Sequence, residues 1–340
     1  MKTYVSKLLV SIDAVAKVQL PPRVFRGLLK GFLFETDKCF LLPGALGAIK
    51  EVKLFYDDHP GLEVMVSGHA DRAGGEDYNL GLSVERAEAV EAFLQDQVER
   101  WMPWYGVAKP AGKRWGTRED QHMLSSLKDG DGKVFYGGPI HGRSDPATKD
   151  AVNRFRVAQG LPAGPADTTM REALVREYMA TDDTTLPAGT PISHHGCGEY
   201  HPVALGRDGA SEDENRRVEV FLFDGPVDPP APAGGCPRGG CTQYPEWKRR
   251  VVETIDVNVR PEVTFVLVDE IGLPYRNAAI KVTYPTGRVR QTSTDEEGTF
   301  VARLAGDESL EIELQDAHEA APGDGIKTPS GKHFTTGGSS

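Results

Sequence analysis

No stretch of this 340-residue sequence approaches the roughly 18 consecutive apolar residues that a membrane-spanning helix needs, so no transmembrane segment is predicted. The chain begins with Lys2 and Lys7 around a short apolar run. Asp13 interrupts that run, and no small-residue cleavage site follows it cleanly. A standard secretory signal is therefore not expected.

Signatures of catalysis and an excess of positive charge are also absent. The sequence contains no Gly-x-Ser-x-Gly, no His-Glu-x-x-His and no phosphate-binding loop, so no enzyme activity is predicted. The net charge of −11 argues against a general nucleic-acid binder, although a cationic or zwitterionic ligand remains compatible with it. The composition is that of an ordinary globular protein, with a length suited to about two or three domains.

Cysteine is scarce, with four residues in the chain. Cys236 and Cys241 lie in a glycine-rich loop and are candidates for a local disulfide, or for two plain thiols. A metal site there would need further ligands, and the nearest candidates lie about forty residues upstream. Those candidates include His194 and His195, which should point to opposite faces of a strand. Neither a metal nor any other cofactor is therefore predicted.

Hydrophobic periodicity predicts an α+β core followed by an all-β region. A strand is expected within 32–42, a helix over 43–58 and a second strand over 62–67. A glycine-rich loop, 68–81, then leads to a helix capped by Ser83. Further elements follow the core helices: helices at 117–127, 146–160 and 168–180, strands at 192–197 and 217–223, and short alternating strands from about residue 259.

An acid and a base flank the glycine-rich loop. Asp71 leaves the end of the second predicted strand, and Arg86 is expected one turn into the helix that follows. Both side chains would then face one cleft beside the free backbone N–H groups of the helix start. Such a cleft suits a zwitterion, because Asp71 would bind an ammonium group while Arg86 and the amides would bind a carboxylate.

Four motifs in this order resemble the OmpA-like peptidoglycan-binding family. They are Gly68-His69-Ala70-Asp71, Asn79 followed by Leu82-Ser83-Val84-Glu85-Arg86-Ala87, Gly196-Cys197-Gly198-Glu199-Tyr200-His201-Pro202, and Asn215-Arg216-Arg217-Val218. Ala70 departs from the family's Thr. The resemblance implies that Asp71 and Arg86 hold the free amino-acid end of meso-diaminopimelate in the peptidoglycan stem peptide. It also implies that the rest of the site is lined by Asn79, Leu82, Gly68 and Arg72.

Two further segments resemble known modules. Asp145-Pro146-Ala147-Thr148 and the apolar positions after it are similar to the three-helix peptidoglycan-binding domain, with Arg156 in place of the usual Gln. The C-terminal strands resemble carboxypeptidase-regulatory-like β-sandwiches, which often act as spacers or docking surfaces. The helical insert is expected either to bind glycan or only to pack against its host.

These patterns predict an OmpA-like β-α-β-α-β-β core interrupted by a helical insert and followed by a sandwich. The expected boundaries are an N-terminal segment (1–23), the OmpA-like domain (24–104 and 186–225), the insert (105–185), a Pro/Gly-rich linker (226–258), the β-sandwich (259–316) and a disordered tail (317–340).

The predicted function is non-catalytic anchoring to peptidoglycan in the cell envelope, by an unknown export route or after delivery by a dedicated secretion machine. A first alternative is a structural component of a type VI or related contractile secretion apparatus, with the C-terminal sandwich binding a partner in that apparatus. A second alternative is a cell-wall hydrolase, suggested by His69 beside Asp71.

Overall fold

The computed structural model describes residues 23–31, 33–203, 214–259, 262–269, 271–283, 289–303, 310–315 and 333–335. The expected N-terminal segment lies outside these residues apart from Arg23. The chain divides into two compact units, Met1–Val259 and Arg260–Ser340. No helix among the described residues combines the length and apolar character that crossing a membrane requires.

The predicted α+β class is confirmed. The helices are α1 (Leu46–Asp57), α2 (Glu76–Leu94), α3 (Val98–Trp101), α4 (Thr117–Ser126), α5 (Pro146–Ala158), α6 (Thr168–Met179) and α7 (Gln243–Arg249). The strands of the first unit are β1 (Val24–Gly31), β2 (Glu63–Gly68), β3 (Ile192–Gly196), β4 (Arg217–Phe223) and β5 (Val251–Val259). Those of the second are β6 (Glu262–Val266), β7 (Ala279–Thr283), β8 (Val289–Ser293), β9 (Thr299–Arg303), β10 (Glu311–Leu314) and β11 (His333–Thr335).

The first unit is built on a five-stranded sheet with the order β3-β2-β4-β1-β5. β4 lies at its centre, antiparallel to β1 and β2, while β3 runs parallel to β2 and β5 parallel to β1. Every residue of β4 is buried, so both faces of the sheet are covered. Val218, Val220 and Leu222 pack into the core on one face, whereas Phe221 and Phe223 belong to a second apolar cluster on the other.

The first strand lies earlier than the sequence pattern indicated. A strand within 32–42 was predicted, and this was wrong: β1 ends at Gly31, and the chain then forms a loop that Leu42 closes by donating its N–H to the carbonyl of Leu33 at 3.0 Å. Phe40 and Leu41 in this loop are nevertheless fully buried. These residues are apolar because they are buried beneath the inserted helices. A buried loop and a buried strand produce the same kind of apolar run, so the pattern could not distinguish them.

The inserted helices share a hydrophobic core with the sheet and helices of the host. Met123, Phe155 and Leu174 belong to the same apolar cluster as the residues under the sheet. Tyr178 in α6 donates its hydroxyl hydrogen to the carbonyl of Leu41 at 2.9 Å, and its ring stacks on Phe40 with the ring centroids 5.7 Å apart. The insert is therefore packed against its host.

Arg156, the departure from the three-helix pattern, has a structural partner. Its guanidinium donates to the carboxylate of Asp167, the N-cap of α6, at 2.8 Å and to the carbonyl of Pro165 at 2.9 Å. These bonds tie the end of α5 to the start of α6.

The segment 226–258 is not the linker that its proline and glycine content predicted. It contains α7 and the edge strand β5, and it covers the second face of the sheet. Trp247 is fully buried, with its ring centroid 5.9 Å from that of Phe221 and 6.1 Å from that of Phe223. The composition misled because proline and glycine mark irregular backbone, which can pack as densely as a regular element.

The second unit contains two small sheets, β11-β10-β7-β8 and β6-β9. They share an apolar cluster that includes Leu267, Ile280, Phe300 and Ile312, as in a small sandwich. The expected disordered tail lies outside the described residues except for β11, which pairs with β10.

Candidate functional site

The predicted site residues gather at one edge of the five-stranded sheet. β2 and β3 both end there, at Gly68 and Gly196. After β2, the chain continues between β4 and the residues that follow β3. His69 donates its N–H to the carbonyl of Arg217 at 3.0 Å, and Ala70 donates to that of Gly198 at 2.9 Å. These two backbone bonds fix the direction in which Asp71 leaves the sheet.

Two glycines let α2 pack directly on this edge. A Cβ atom on Gly68 would lie 2.1 Å from the carbonyl oxygen of Ser83, and one on Gly196 would lie 2.3 Å from a methyl group of Val84. Both distances are too short for any side chain. Gly68 was predicted to line the ligand site, and the structure gives it a packing role between strand and helix.

The second core helix begins earlier than predicted. α2 starts at Glu76, so the proposed loop 68–81 contains its first turn and a half, and Ser83 is not its N-cap. The Ser83 hydroxyl instead donates to the carbonyl of Leu80 at 2.7 Å and accepts the N–H of Gly198 at 2.8 Å. Arg86 therefore lies deep within the helix rather than one turn from its start, and the free amides of the first turn are not beside it.

Arg86 is buried and held by the loop that follows β1. Its side chain donates to the carbonyls of Lys38 at 3.0 Å and Glu35 at 3.3 Å, and its guanidinium carbon lies 5.1 Å from the ring centroid of Phe34. Burial lowers the pKa of Arg86 to about 10, while the nearby Asp71 carboxylate acts to raise it. Among the described residues, no hydrogen bond or ion pair joins Arg86 directly to Asp71, so the charge of Asp71 acts on Arg86 without a direct contact.

Asp71 is also buried, and two of the hydrogen bonds to its carboxylate come from described residues. One oxygen accepts the N–H of Ala73 at 3.1 Å, and the other accepts a guanidinium N–H of Arg216 at 2.7 Å. Arg216 keeps about a third of its side chain exposed, so this ion pair is partly open to solvent. The sequence identified Arg216 only as part of a motif. Its pairing with a residue 145 positions away could not be read from the motif.

Asn79, Leu82 and Arg72 are the other residues that were predicted to line the site. Asn79 is buried in the first turn of α2 and donates its amide N–H to the carboxylate of Glu199 at 2.5 Å. This bond links the helix to the loop after β3, so the carboxylate of Glu199 is a second acid at the same edge. Leu82 is buried in α2, and Arg72 is half-buried beside Asp71.

Several buried polar side chains lie next to this edge of the sheet. The Arg217 guanidinium donates to Glu219 at 2.7 Å, and the hydroxyl of Tyr244 donates to the same carboxylate oxygen at 2.7 Å. His69 lies 3.7 Å from that oxygen and is itself fully buried. Burial, followed by the positive charge of Arg217, lowers the pKa of His69 well below its usual value, so its imidazole is neutral at pH 7.

The two loop cysteines do not form the disulfide that was one expectation. All four cysteines have free thiols. Cys236 and Cys241 lie in the segment 226–258 that covers the sheet, called the covering segment below. There they lie beside His195 and Cys197, about forty residues upstream in the chain. As predicted, His194 and His195 point to opposite faces of β3: His194 contacts Glu91 on α2, and His195 faces the ring of Trp247.

Comparison with known proteins gives a family match for the part of the chain that contains Asp71, Asn79 and Arg86. Residues 33–100 match the sequence model of the OmpA family. A peptidoglycan-associated lipoprotein from Legionella pneumophila is 30% identical over 95 residues, which cover 27% of this chain and 53% of the lipoprotein. Outer membrane porin F from Pseudomonas fluorescens is 36% identical over 61 residues, which cover 18% of this chain and 19% of the porin.

The chain thus spans about half the length of the lipoprotein and a smaller part of the porin. Among solved structures, the peptidoglycan-associated lipoprotein from Burkholderia pseudomallei aligns with 59% of this chain and 90% of its own, with 16% identity and a TM-score of 0.25. Residues 33–100 of this chain are an OmpA family domain.

Proposed function

We propose that this protein binds peptidoglycan non-covalently in the cell envelope, and that it does so as an anchor rather than as an enzyme. The ligand is the free amino-acid end of meso-diaminopimelate in the stem peptide. The OmpA family match over residues 33–100 supports the proposal, as does the likeness to a relative named as peptidoglycan-associated.

The observation that carries the proposal is the burial of two opposite charges, Asp71 just after β2 and Arg86 in the helix that packs against the end of that strand. Asp71 has 7% of its surface exposed and Arg86 has 4%. Opposite charges placed where water is excluded interact more strongly with a charged ligand than the same groups on an open surface. An ammonium group on Asp71 and a carboxylate on Arg86 would match both ends of the amino-acid head group.

Rigidity of the guanidinium supports the same ligand. Arg86 is fixed by the carbonyls of Lys38 and Glu35, which are neutral hydrogen-bond acceptors. A bound carboxylate would add a negative charge bonded directly to the guanidinium. Little side-chain entropy would be lost on binding, because the guanidinium is already oriented.

The ion pair between Asp71 and Arg216 supports the main competing interpretation, in which Asp71 has only a structural role. A carboxylate has several lone pairs and can accept from a ligand ammonium and a guanidinium together. We therefore propose that Arg216 stays on Asp71 in the complex and orients it, while the ammonium binds the same carboxylate.

Isothermal titration calorimetry with a stem peptide that ends in meso-diaminopimelate tests this assignment. We expect Asp71→Asn and Arg86→Gln each to weaken binding by about 2–3 kcal/mol, the value of a charge-assisted hydrogen bond, which corresponds to roughly 30- to 150-fold in Kd. A peptide with lysine in place of diaminopimelate lacks the second carboxylate. It should bind the wild-type protein as weakly as the cognate peptide binds Arg86→Gln.

Asp77→Asn is the matched control, because Asp77 lies in the same helix region but is exposed and pairs with exposed Arg238. It should leave the affinity unchanged. Circular dichroism of each variant establishes that the fold is retained. Wild-type affinity in folded Asp71→Asn and Arg86→Gln would refute the assignment and leave the Asp71–Arg216 pair as a structural contact.

A further inference from the structure

Four potential metal ligands converge on the face of the sheet opposite α2. His195 lies in β3 and Cys197 follows directly after it, while Cys236 and Cys241 come from the glycine-rich loop of the covering segment. The ligand atoms all lie within 4.8 Å of one another, and all four residues are buried. We propose that these residues bind a structural zinc ion.

The spacing of the ligand atoms fits a tetrahedral ion. The Nε2 atom of His195 lies 3.3 Å from the sulfur of Cys236 and 3.6 Å from that of Cys241. With Zn–S bonds of about 2.3 Å and Zn–N bonds of about 2.0–2.1 Å, tetrahedral geometry puts nitrogen and sulfur about 3.6 Å apart. The side chains thus need little movement to reach a common ion.

The chemistry of the set also favours zinc. Three thiolates and one imidazole are a ligand combination of structural zinc sites, in which the protein fills all four positions. Soft sulfur ligands select zinc over magnesium or calcium, which prefer oxygen. A disulfide between two of these cysteines would leave the third thiol buried beside it, whereas one ion uses all three.

The surroundings support the sulfur ligands. The hydroxyl of Ser67 lies 3.3 Å from the sulfur of Cys197, where it can donate to a thiolate. The N–H of Cys236 donates to the carbonyl of Gly196 at 2.8 Å, which fixes the loop to the end of β3. Gly239 and Gly240 both have positive φ angles, so the chain can turn back and present Cys241 on the same side as Cys236.

A closed site of this kind stabilises rather than catalyses. It joins a strand of the sheet to the segment that covers the sheet, two parts of the chain about forty residues apart. The free energy of zinc binding therefore contributes to the stability of the fold. His201 approaches the loop sulfurs at 3.7 and 3.8 Å but is only half-buried, and we place it outside the ligand set.

Elemental analysis of the full-length protein, purified from zinc-containing medium, is the direct test. We expect zinc in an equimolar ratio to protein, and loss of most of it in Cys197→Ser, Cys241→Ser and His195→Ala. Cys39→Ser is the matched control, because Cys39 is also a buried free thiol but belongs to the core on the other face of the sheet. It should keep its zinc, and so should His201→Ala.

Variants in a buried cluster can fail to fold, so the wild-type protein supplies a second test. Removing the metal with a chelator should lower Tm, and zinc but not magnesium should restore it. Cobalt substitution should give the absorption bands of a tetrahedral thiolate complex.

Three results would overturn the proposal. The first is the absence of bound metal after incubation with excess zinc. The second is an intact mass, under non-reducing conditions, that shows a Cys236–Cys241 disulfide. The third is a Tm that is unchanged after complete metal removal. Loss of zinc from His201→Ala with retention in His195→Ala would overturn the assignment of His195.

Discussion

Replacing Trp247 tests whether the covering segment packs as part of the first unit or is only a linker that follows the OmpA-like domain. Trp247 is fully buried against the rings of Phe221 and Phe223, and its indole N–H donates to the carbonyl of Pro229 at 2.8 Å. Truncating a buried tryptophan to alanine costs about 3–5 kcal/mol, and the lost hydrogen bond adds about 1 kcal/mol. We expect Trp247→Ala to lower the free energy of unfolding of this unit by about 4–6 kcal/mol.

Trp247→Phe separates the two contributions, because it keeps most of the buried ring and removes the hydrogen bond. Its expected cost is about 1–2 kcal/mol. Val107→Ala is the control at an exposed position, where a change within about 0.5 kcal/mol is expected.

Urea denaturation followed by helical circular dichroism measures these values. Every helix among the described residues lies before residue 250, so the signal of these helices reports the first unit. A loss below about 1 kcal/mol in Trp247→Ala, comparable to the value for an exposed site, would refute the packing argument and restore the linker interpretation.

Further substitutions at Gly68 and Glu35, with Gly81 as the comparison for Gly68, test the site and its surroundings. Gly68→Ala should destabilise the first unit by about 3 kcal/mol or more in the same denaturation assay, because its Cβ would lie 2.1 Å from a backbone oxygen of α2. Gly81→Ala in that helix has nothing within 4 Å of the added Cβ and should stabilise the unit by about 0.5–1 kcal/mol, so equal effects would contradict the argument. For Glu35, burial alone would raise the pKa, but hydrogen bonds from His122 and Arg118 outweigh it and lower the pKa to about 2. A lowered carboxyl pKa stabilises the fold above the ordinary value of 4.5, and this stabilisation is lost as the pH falls toward 2. Solvent screening at half-exposed Arg118 reduces the effect, so Glu35→Gln should cost about 1–2 kcal/mol at pH 7 and little at pH 2.5, and a cost that does not change with pH would refute the assignment.

Local sequence patterns predicted much of the core. β4 was placed with its bounds, and the predicted helices at 117–127, 146–160 and 168–180 correspond to α4, α5 and α6. Periodicity succeeds in these elements because one face of each is buried and the other meets solvent. It failed for the loop 33–42, where the apolar run 39–42 is buried without forming a strand.

The start of α2 shows another limit of local signals. Glycines and polar residues at 74–81 indicated a loop, yet the helix begins at Glu76. Its first turn is stabilised by contacts with other parts of the fold, such as the Asn79–Glu199 bond between residues 120 positions apart. Contacts between residues so far apart override local helix propensity. A prediction from a window of ten residues cannot detect them, because the window does not contain both partners.

The sequence by itself indicated the OmpA-like motifs, the alternation of helices and strands, and Asp71 and Arg86 as candidate ligands, because each of these signals lies in a short stretch of the chain. Only the tertiary structure decided the partner of Asp71, the burial of the covering segment and the meeting of His195 and Cys197 with Cys236 and Cys241. These depend on which distant segments the sheet brings together. Spacing along the chain carries no information about such contacts, because a folded loop can return to the sheet from any number of residues away.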